Sequence, residues 1–372
     1  MKILHVSDLH LGKRVFEYSM IEEQRHILKQ ILDMAKSVDL TLVAGDIYDR
    51  QVPPAEAVGL FDDFLTSMRA QGSTVALIAG NHDSAERVAF GAQLFKESGV
   101  YLSPVYDGTT QKLTFEDEYG PVCVYLLPFV KPAHVRAALE RPEIEGYTAA
   151  IEAAIDEMHI DPSVRNVLAA HQFVTGAVRS ESEEIAVGGL DGVDASVFRE
   201  FDYVALGHLH TAQSLMDGRV RYSGAPLCYA FSEAGREKGA LLIDLKEKGQ
   251  MEVQQLAFVP LHPFKKVRGR FDEILNPDNA CEDYVQVTLT DEDDVPDAAA
   301  KLTAIYPRLA QVLYDNARTR AERADFSVAA EEEKTPLELF EELYQMQNGE
   351  PLSPEQRTLL LDMMEKIWEE DA

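Results

Sequence analysis

At 372 residues the chain is too long for one ordinary core and implies two or three domains of roughly 100 to 200 residues each. A hydrophobic content of 46% with 27% charged residues excludes wholesale disorder and membrane residence. The formal net charge of −29 speaks against a protein that holds nucleic acid on a broadly basic surface.

Taken in chain order, the opening Met1–Asp8 places His5 and Asp8 too early for the apolar core of a signal peptide. No later run reaches membrane-spanning length, so neither secretion nor insertion is expected. Five short apolar runs then read as buried strands: Ile3–Val6, Leu40–Ala44, Val75–Ala79, Val167–Ala170 and Tyr203–Leu206. Each stops at polar residues of one kind. Asp8 and His10 follow the first, Asp46 and Asp49 the second, Asn81, His82 and Asp83 the third, His171 the fourth, and His208 and His210 the fifth.

Between the second and third runs, Pro54–Ala70 has the pattern of a crossover helix, with Val58, Phe61, Leu65 and Met68 as its apolar stripe. Leu60 and Phe64 add apolar surface off that stripe, for a wide core face or a dimer contact. After a further strand at Ala240–Leu245, the basic segment Lys265, Lys266, Val267, Arg268, Gly269, Arg270 leads into a different region, and a domain boundary is expected near Pro263. That region reads as strand Tyr284–Leu289, helix Pro296–Tyr306 and strand Ala310–Tyr314. The tail begins two helices, at Thr335-Pro336-Leu337-Glu338 and Ser353-Pro354-Glu355-Gln356, each with a hydroxyl N-cap, proline at the first position and an acid or amide at the third. Gly349 and Pro351 break the chain between them. Leu337, Phe340, Leu343 and Tyr344 on one helix, and Leu360, Met363, Met364, Ile367 and Trp368 on the other, form stripes that need burial.

Side chains just past the carboxyl ends of parallel strands converge on one crevice, so these polar clusters are expected to share one site. Any one of them alone is an ordinary turn polar, but turns do not need four histidines. Oxygen and imidazole donors without sulfur suit Mn²⁺, Fe or Zn²⁺, and there are enough for two ions. Asp46, directly at a strand end, is the natural bridge between a pair spaced ~3.5 to 4 Å apart. Two divalent ions less two aspartates leave about +2, which attracts a phosphodiester even within an acidic protein. His5, His26, His134, His159 and His262 lack this context and are expected to be structural. The three cysteines, Cys123, Cys228 and Cys281, have no CxxC spacing, which excludes a zinc knuckle or a disulfide framework and fits a reducing, cytoplasmic compartment.

In this order, the DxH, GDxxD, GNHD and GHxH motifs resemble the calcineurin-like metallophosphoesterases. Within them, MKILHVSDLHLGK, VAGDIYDR, GHLH followed by YSGAPLCYAFSE, and PLELFEELYQMQNGEPLS are similar to the SbcD nuclease family. The resemblance implies an α/β fold, a four-layer α/β/β/α sandwich over 1–262, a small α/β capping domain over 263–330 that binds DNA, and a C-terminal helical hairpin over 331–372 that binds a partner. It also implies a first metal on Asp8, His10 and His210, a second on Asn81, His171 and His208, and Asp46 shared, with Mn²⁺ the expected ion. His82 would be the catalytic histidine and Asp83 would hold it in one tautomer. Asp49, where some relatives carry histidine, would stand behind these groups. Lys13, Arg14, Lys265, Lys266, Arg268 and Arg270 are candidate DNA contacts, although a surface strand explains the last four equally well.

The function so implied is that of a DNA nuclease subunit, exonuclease on double-stranded ends and endonuclease on single-stranded and hairpin DNA, acting in repair, replication and recombination. No GxxxxGK[ST] occurs in the chain, so an ATPase would be a separate protein, an SbcC-like coiled-coil partner to a homodimer of this subunit. The alternatives are a protein phosphatase or cyclic-nucleotide phosphodiesterase of the same superfamily, which would end near the sheet domain, and a scaffold that had lost its metals.

Overall fold

The computed structural model describes residues 1–179, 192–320 and 336–370. In chain order the strands of its two large sheets are β1 (Lys2–Val6), β2 (Leu40–Ala44), β3 (Val75–Ile78), β4 (Val100–Leu102), β5 (Gln111–Asp117), β6 (Gly120–Leu126), β7 (Arg165–His171), β8 (Tyr203–Gly207), β9 (Gln213–Leu215), β10 (Val220–Tyr222), β11 (Gly239–Leu245) and β12 (Met251–Ala257). The first sheet has the order β12-β11-β1-β2-β3-β4 and the second β9-β10-β8-β7-β6-β5. Strands β1 to β4 are parallel, as are β6, β7, β8 and β10, so their carboxyl ends collect at one rim of each sheet.

The strands read as unbroken apolar runs because both of their faces are buried. Alternate residues, among them Ile3, Leu42, Ile78, Val124, Val167 and Ala205, point between the sheets and form the central core. Leu4, Val6, Val43 and Leu77 point outward beneath helices Ile21–Ala35 and Ala55–Ala70, and Leu168, Ala170, Val204 and Leu206 beneath Gly146–Asp156. Four layers, helix, sheet, sheet and helix, follow from that alternation.

One expected stripe is rotated. The face that Ala55–Ala70 buries is Ala57, Leu60, Phe61, Phe64 and Met68, while Val58 is exposed. These positions follow the i, i+3, i+4, i+7 rule with a small residue at one end, where the chain passes close to the loop after β1. Leu60 and Phe64 are therefore core residues and not a dimer contact.

Beyond β12 a third sheet follows, of β13 (Phe264–Gly269), β14 (Tyr284–Leu289) and β15 (Arg308–Tyr314), all parallel with β14 central. The basic segment is thus an edge strand, with Lys265, Lys266 and Arg268 exposed. The crossover helix, Ala298–Thr303, is shorter than expected because Asp297 takes a left-handed conformation at its start. Phe264 and Tyr284 of this sheet pack into the outer core of the first sheet, and the Tyr18 hydroxyl donates to the Leu309 carbonyl at 3.1 Å.

Helices Pro336–Asn348 and Pro354–Glu370 form the terminal pair. The capping box at Ser353 is present: Gln356 N–H donates to Ser353 Oγ at 3.2 Å, and Ser353 N–H donates to Gln356 Oε1 at 2.9 Å. Thr335 and the side chains of Ile367 and Trp368 lie outside the described residues. Leu337 is buried, whereas Phe340, Leu343 and Met363 remain exposed. Among the described residues, no helix is long and apolar enough to cross a membrane.

Candidate metal centre

Two loops at the rim run side by side. Asp8 N–H donates to the Gly45 carbonyl and His10 N–H to the Asp46 carbonyl, both at 3.0 Å, so the ends of β1 and β2 are fastened together beyond their last ladder pair. Asp8, His10 and Asp46 all have positive φ (54°, 44° and 50°), and His208 has φ 102°. Non-glycine residues in such conformations cost of order 1–3 kcal/mol each and persist where the surroundings over-determine them. Here the strain turns strand-end side chains into the crevice. Two glycines make room for them: a Cβ on Gly80 would lie 2.1 Å from Asp46 Oδ1, and one on Gly207 would lie 1.9 Å from the Ala44 carbonyl oxygen.

The seven sequence-expected ligands come together. His10 Nε2 and His210 Nε2 are 3.0 Å apart, and these two with Asp8 each offer a ligand atom within 4.8 Å of the others. Asn81 Oδ1 lies 3.0 Å from His171 Nε2 and 2.9 Å from His208 Nδ1, which brings the other three into mutual contact. Asp46 sits between the groups, with Oδ2 at 3.4 Å from His171 Nε2 and 3.6 Å from His10 Nε2. His82 approaches the same oxygen at 4.0 Å, and it is the outlier in exposure, its side chain 23% exposed against 1% or less for His10 and His171.

Burial pushes Asp8 up to about 7, with Asp46 adding to the rise and His171 opposing it. Burial would also raise Asp46, but His171 and His10 hold it well below the usual carboxylate range. Against its own burial, His171 is raised to about 9 by Asp46 and Asp8, while burial lowers His208 to about 3 and keeps His10 and His210 well below neutral. Asp46 is thus held ionised beside a protonated His171, among three imidazoles that burial keeps neutral. His10 Nδ1 and His208 Nε2 are buried with no hydrogen-bond partner, each being the ring nitrogen opposite the one that meets the cluster. The donor set and the grouping of ligand atoms fit divalent ions.

Asp83 does something other than expected. Its carboxylate accepts the backbone N–H groups of Ile47, Tyr48 and Gly80 at 2.9 to 3.0 Å, pinning the loops after β2 and β3 to one another, and does not touch the His82 ring. Nor does it cap the next helix, a task taken by Ser84. The His82 ring instead donates from Nδ1 to the Asp49 carbonyl at 3.2 Å. The Asp49 carboxylate sits 3.8 Å from His10 Nδ1 and 2.6 Å from Lys13 Nζ.

Sequence reasoning missed Glu233, Tyr229 and Gln24. Glu233 is fully buried, 3.9 Å from His210 Nδ1 and 2.5 Å from Lys238 Nζ. Gln24 donates to the His10 carbonyl at 2.7 Å and accepts from Gly12 N–H at 2.9 Å, while the Tyr229 ring packs edge-on against both His10 and His210. A polar residue set in a helix otherwise apolar on that face, or in an apolar loop, is the available signal. Among the expected structural histidines, His5 bonds Tyr203 and Leu206, and His262 bonds Glu23, all away from the cluster. Of the basic candidates, Lys13, Arg268 and Arg270 are each paired with a carboxylate; Arg14, Lys265 and Lys266 have no such partner among the described residues.

A family profile described as calcineurin-like phosphoesterase matches residues 1–212, and one described as type 5 capsule protein repressor C-terminal domain (SbcD_C) matches 260–348. The chain is 29% identical over 389 residues to a Staphylococcus epidermidis protein named as the SbcD subunit of nuclease SbcCD, and 28% identical over 387 residues to its namesake in Staphylococcus saprophyticus subsp. saprophyticus; both alignments cover 100% of each chain. The crystal structure of TT1561 of Thermus thermophilus superposes with a TM-score of 0.40 at 13% identity, over 68% of this chain and 98% of that one. With its rim of aspartate, asparagine and histidine and a match over more than half its length, the chain belongs to the calcineurin-like phosphoesterase family.

Proposed function

We propose that this chain hydrolyses phosphodiester bonds of DNA with two Mn²⁺ ions, as the nuclease subunit of an SbcCD-like complex in DNA repair, replication and recombination. The observation that carries this is the convergence of seven oxygen- and nitrogen-bearing residues, Asp46 at their centre and six around it. The names of the full-length relatives support the nuclease assignment over a protein phosphatase or cyclic-nucleotide phosphodiesterase. A scaffold without metals is disfavoured, since no ligand position has been lost.

Asp8, His10 and His210 would hold one ion, Asn81, His171 and His208 the other, and Asp46 both. When bound, the ions supply Lewis-acid activation of the phosphate and an acidified water. His82, with Nδ1–H committed to the Asp49 carbonyl, presents Nε2 to the crevice and is placed to protonate the leaving oxygen. Asp83 acts on it only indirectly, by fixing the loop that carries it.

Exhaustive chelation is expected to abolish hydrolysis of a simple diester such as bis(p-nitrophenyl) phosphate, and Mn²⁺ to restore it. Because a metal must displace the proton that Asp46 and Asp8 hold on His171, Mn²⁺ affinity should rise with pH up to about 9. Full activity in protein shown metal-free by elemental analysis would sink the assignment.

Residues 1–262, 263–330 and 331–372 serve as nuclease, capping and partner-binding domains. Arg14, Lys265 and Lys266 are the best-placed DNA contacts, lacking carboxylate partners. The free thiols of Cys123, Cys228 and Cys281 suit a cytoplasmic location. For the homodimer, the exposed Phe90 and Leu94 (83% and 81%) supply an apolar surface that Leu60 and Phe64 do not.

The terminal helices leave Phe340, Leu343, Met346 and Met363 exposed, and a pair of short helices is marginal alone in water. They would dock an SbcC-like coiled-coil ATPase, their acidic outer faces matching a basic helix. Deleting residues 331–372 should abolish co-purification with that ATPase and leave Mn²⁺-dependent diester hydrolysis within about twofold. Loss of diester hydrolysis with the tail would instead assign the hairpin to the catalytic fold.

A further inference from the structure

Beside the metal centre, a cleft of about 340 Å³ opens between the Arg14–Ser19 hairpin, the loop after β10 and the face of the third sheet. Tyr229 is its shared wall, since the same ring packs against His10 and His210. Aromatic surface comes from Phe16 and Phe231, whose rings lie 5.8 Å apart. Phe16 is 48% exposed and held at φ 51°, a conformation unfavourable for a bulky residue and one that keeps an apolar ring at the hairpin tip. Across the cleft, Gln286 Nε2 donates to Gln311 Oε1 at 2.8 Å. That single bond leaves Gln286 Oε1 and the Gln311 amide protons without partners among the described residues, an acceptor and a donor side by side. Arg14 lines the same cleft.

An exposed aromatic face, an adjacent amide donor and acceptor, and a guanidinium are the elements that recognise a nucleobase, by stacking, by its hydrogen-bonding edge and by its phosphate. The volume is near the lower end for small-ligand sites and admits one nucleoside and not a duplex. We infer that this cleft is a nucleobase subsite, in which an unpaired nucleotide flanking the scissile phosphate stacks on Phe16 and is read by Gln286 and Gln311. The inference rests on the diester hydrolysis proposed above and adds to it the place where the base beside the cleaved bond is held, between the phosphoesterase sheets and the third sheet.

The test compares two esters of equal leaving group in the Mn²⁺-loaded full chain: bis(p-nitrophenyl) phosphate, which has no base, and thymidine 5′-monophosphate p-nitrophenyl ester. Phe16→Ala, and separately Gln286→Ala with Gln311→Ala, should raise KM for the thymidine ester relative to the base-free ester by roughly tenfold, the effect of losing one base–aromatic contact. Phe16→Trp should keep the wild-type ratio, which separates stacking from damage to the hairpin. Equal changes on both esters, or none on either, would overturn the subsite. If the wild type cleaves neither ester, the hydrolytic assignment fails; fluorescence-anisotropy titration of a labelled thymidine tetranucleotide then decides the subsite alone, through tighter binding by wild type and Phe16→Trp than by Phe16→Ala.

Discussion

Replacing Asp46 with alanine is expected to strip bound metal from the protein and reduce diester hydrolysis to background. Its carboxylate lies within 4.0 Å of three histidines from three different strand ends, His10, His82 and His171. It also accepts the His82 backbone N–H at 2.9 Å, so its removal frees the loop after β3 as well as the charge. An uncompensated buried group is costly: breaking a buried charge pair by deleting one partner typically destabilises by about 3–5 kcal/mol. Asp46→Asn separates the two contributions, because it preserves shape and loses charge. Elemental analysis after gel filtration measures the outcome, and two ions retained in Asp46→Ala would remove it from the bridging position.

His82→Ala should behave in the opposite way, keeping both ions while kcat on a diester falls by roughly 10²- to 10⁴-fold, the usual contribution of a positioned acid or base. Three features single it out from the other imidazoles. It is more exposed than His10 and His171, its Nδ1 is engaged by the Asp49 carbonyl, and its Nε2 stands farther from Asp46 than theirs. Loss of metal in this variant, or a change smaller than about threefold, would make His82 a ligand or a bystander, since a positioned acid or base contributes far more. Asp83→Ala is a different matter, because three backbone N–H groups would lose their acceptor and both loops would loosen together.

Both experiments bear on one arrangement, in which the converging side chains are carried by strand ends and their orientation by neighbouring loops. The rigid part is the pair of parallel ladders, whose last pairs, Val6 with Val43 and Gly207 with His171, lie at the edge of the site. The adjustable part is the set of contacts behind the imidazoles: Asp49 near His10, Glu233 near His210, and the Ala44 carbonyl 2.8 Å from His171 Nδ1.

From the sequence alone, the convergence of the seven polar side chains, the five strands that carry them and the capping box at Ser353 were legible, and for a common reason. Strand and helix signals are local, a buried parallel strand ends where its apolar run ends, and the crevice beyond such ends is a consequence of the fold class. What no local pattern contained was the choice of hydrogen-bond partner between segments distant in the chain. Asp83 stands next to His82 in sequence, yet its carboxylate is turned toward the backbone after β2, while His82 finds the Asp49 carbonyl, 33 residues upstream. Helix Ala55–Ala70 had enough apolar residues for two overlapping faces, and only its contact with the first sheet decided that Leu60 and Phe64 go in and Val58 stays out. Lys13 reads as a candidate DNA contact until the fold sets Asp49 2.6 Å away, and nothing local marks Glu233, around which Lys238 and His210 close. Strand ends bring the chemistry to the rim because backbone pairing is repetitive and short-range. Its fine orientation is tertiary, because a buried polar atom takes whichever partner packing places within about 3 Å.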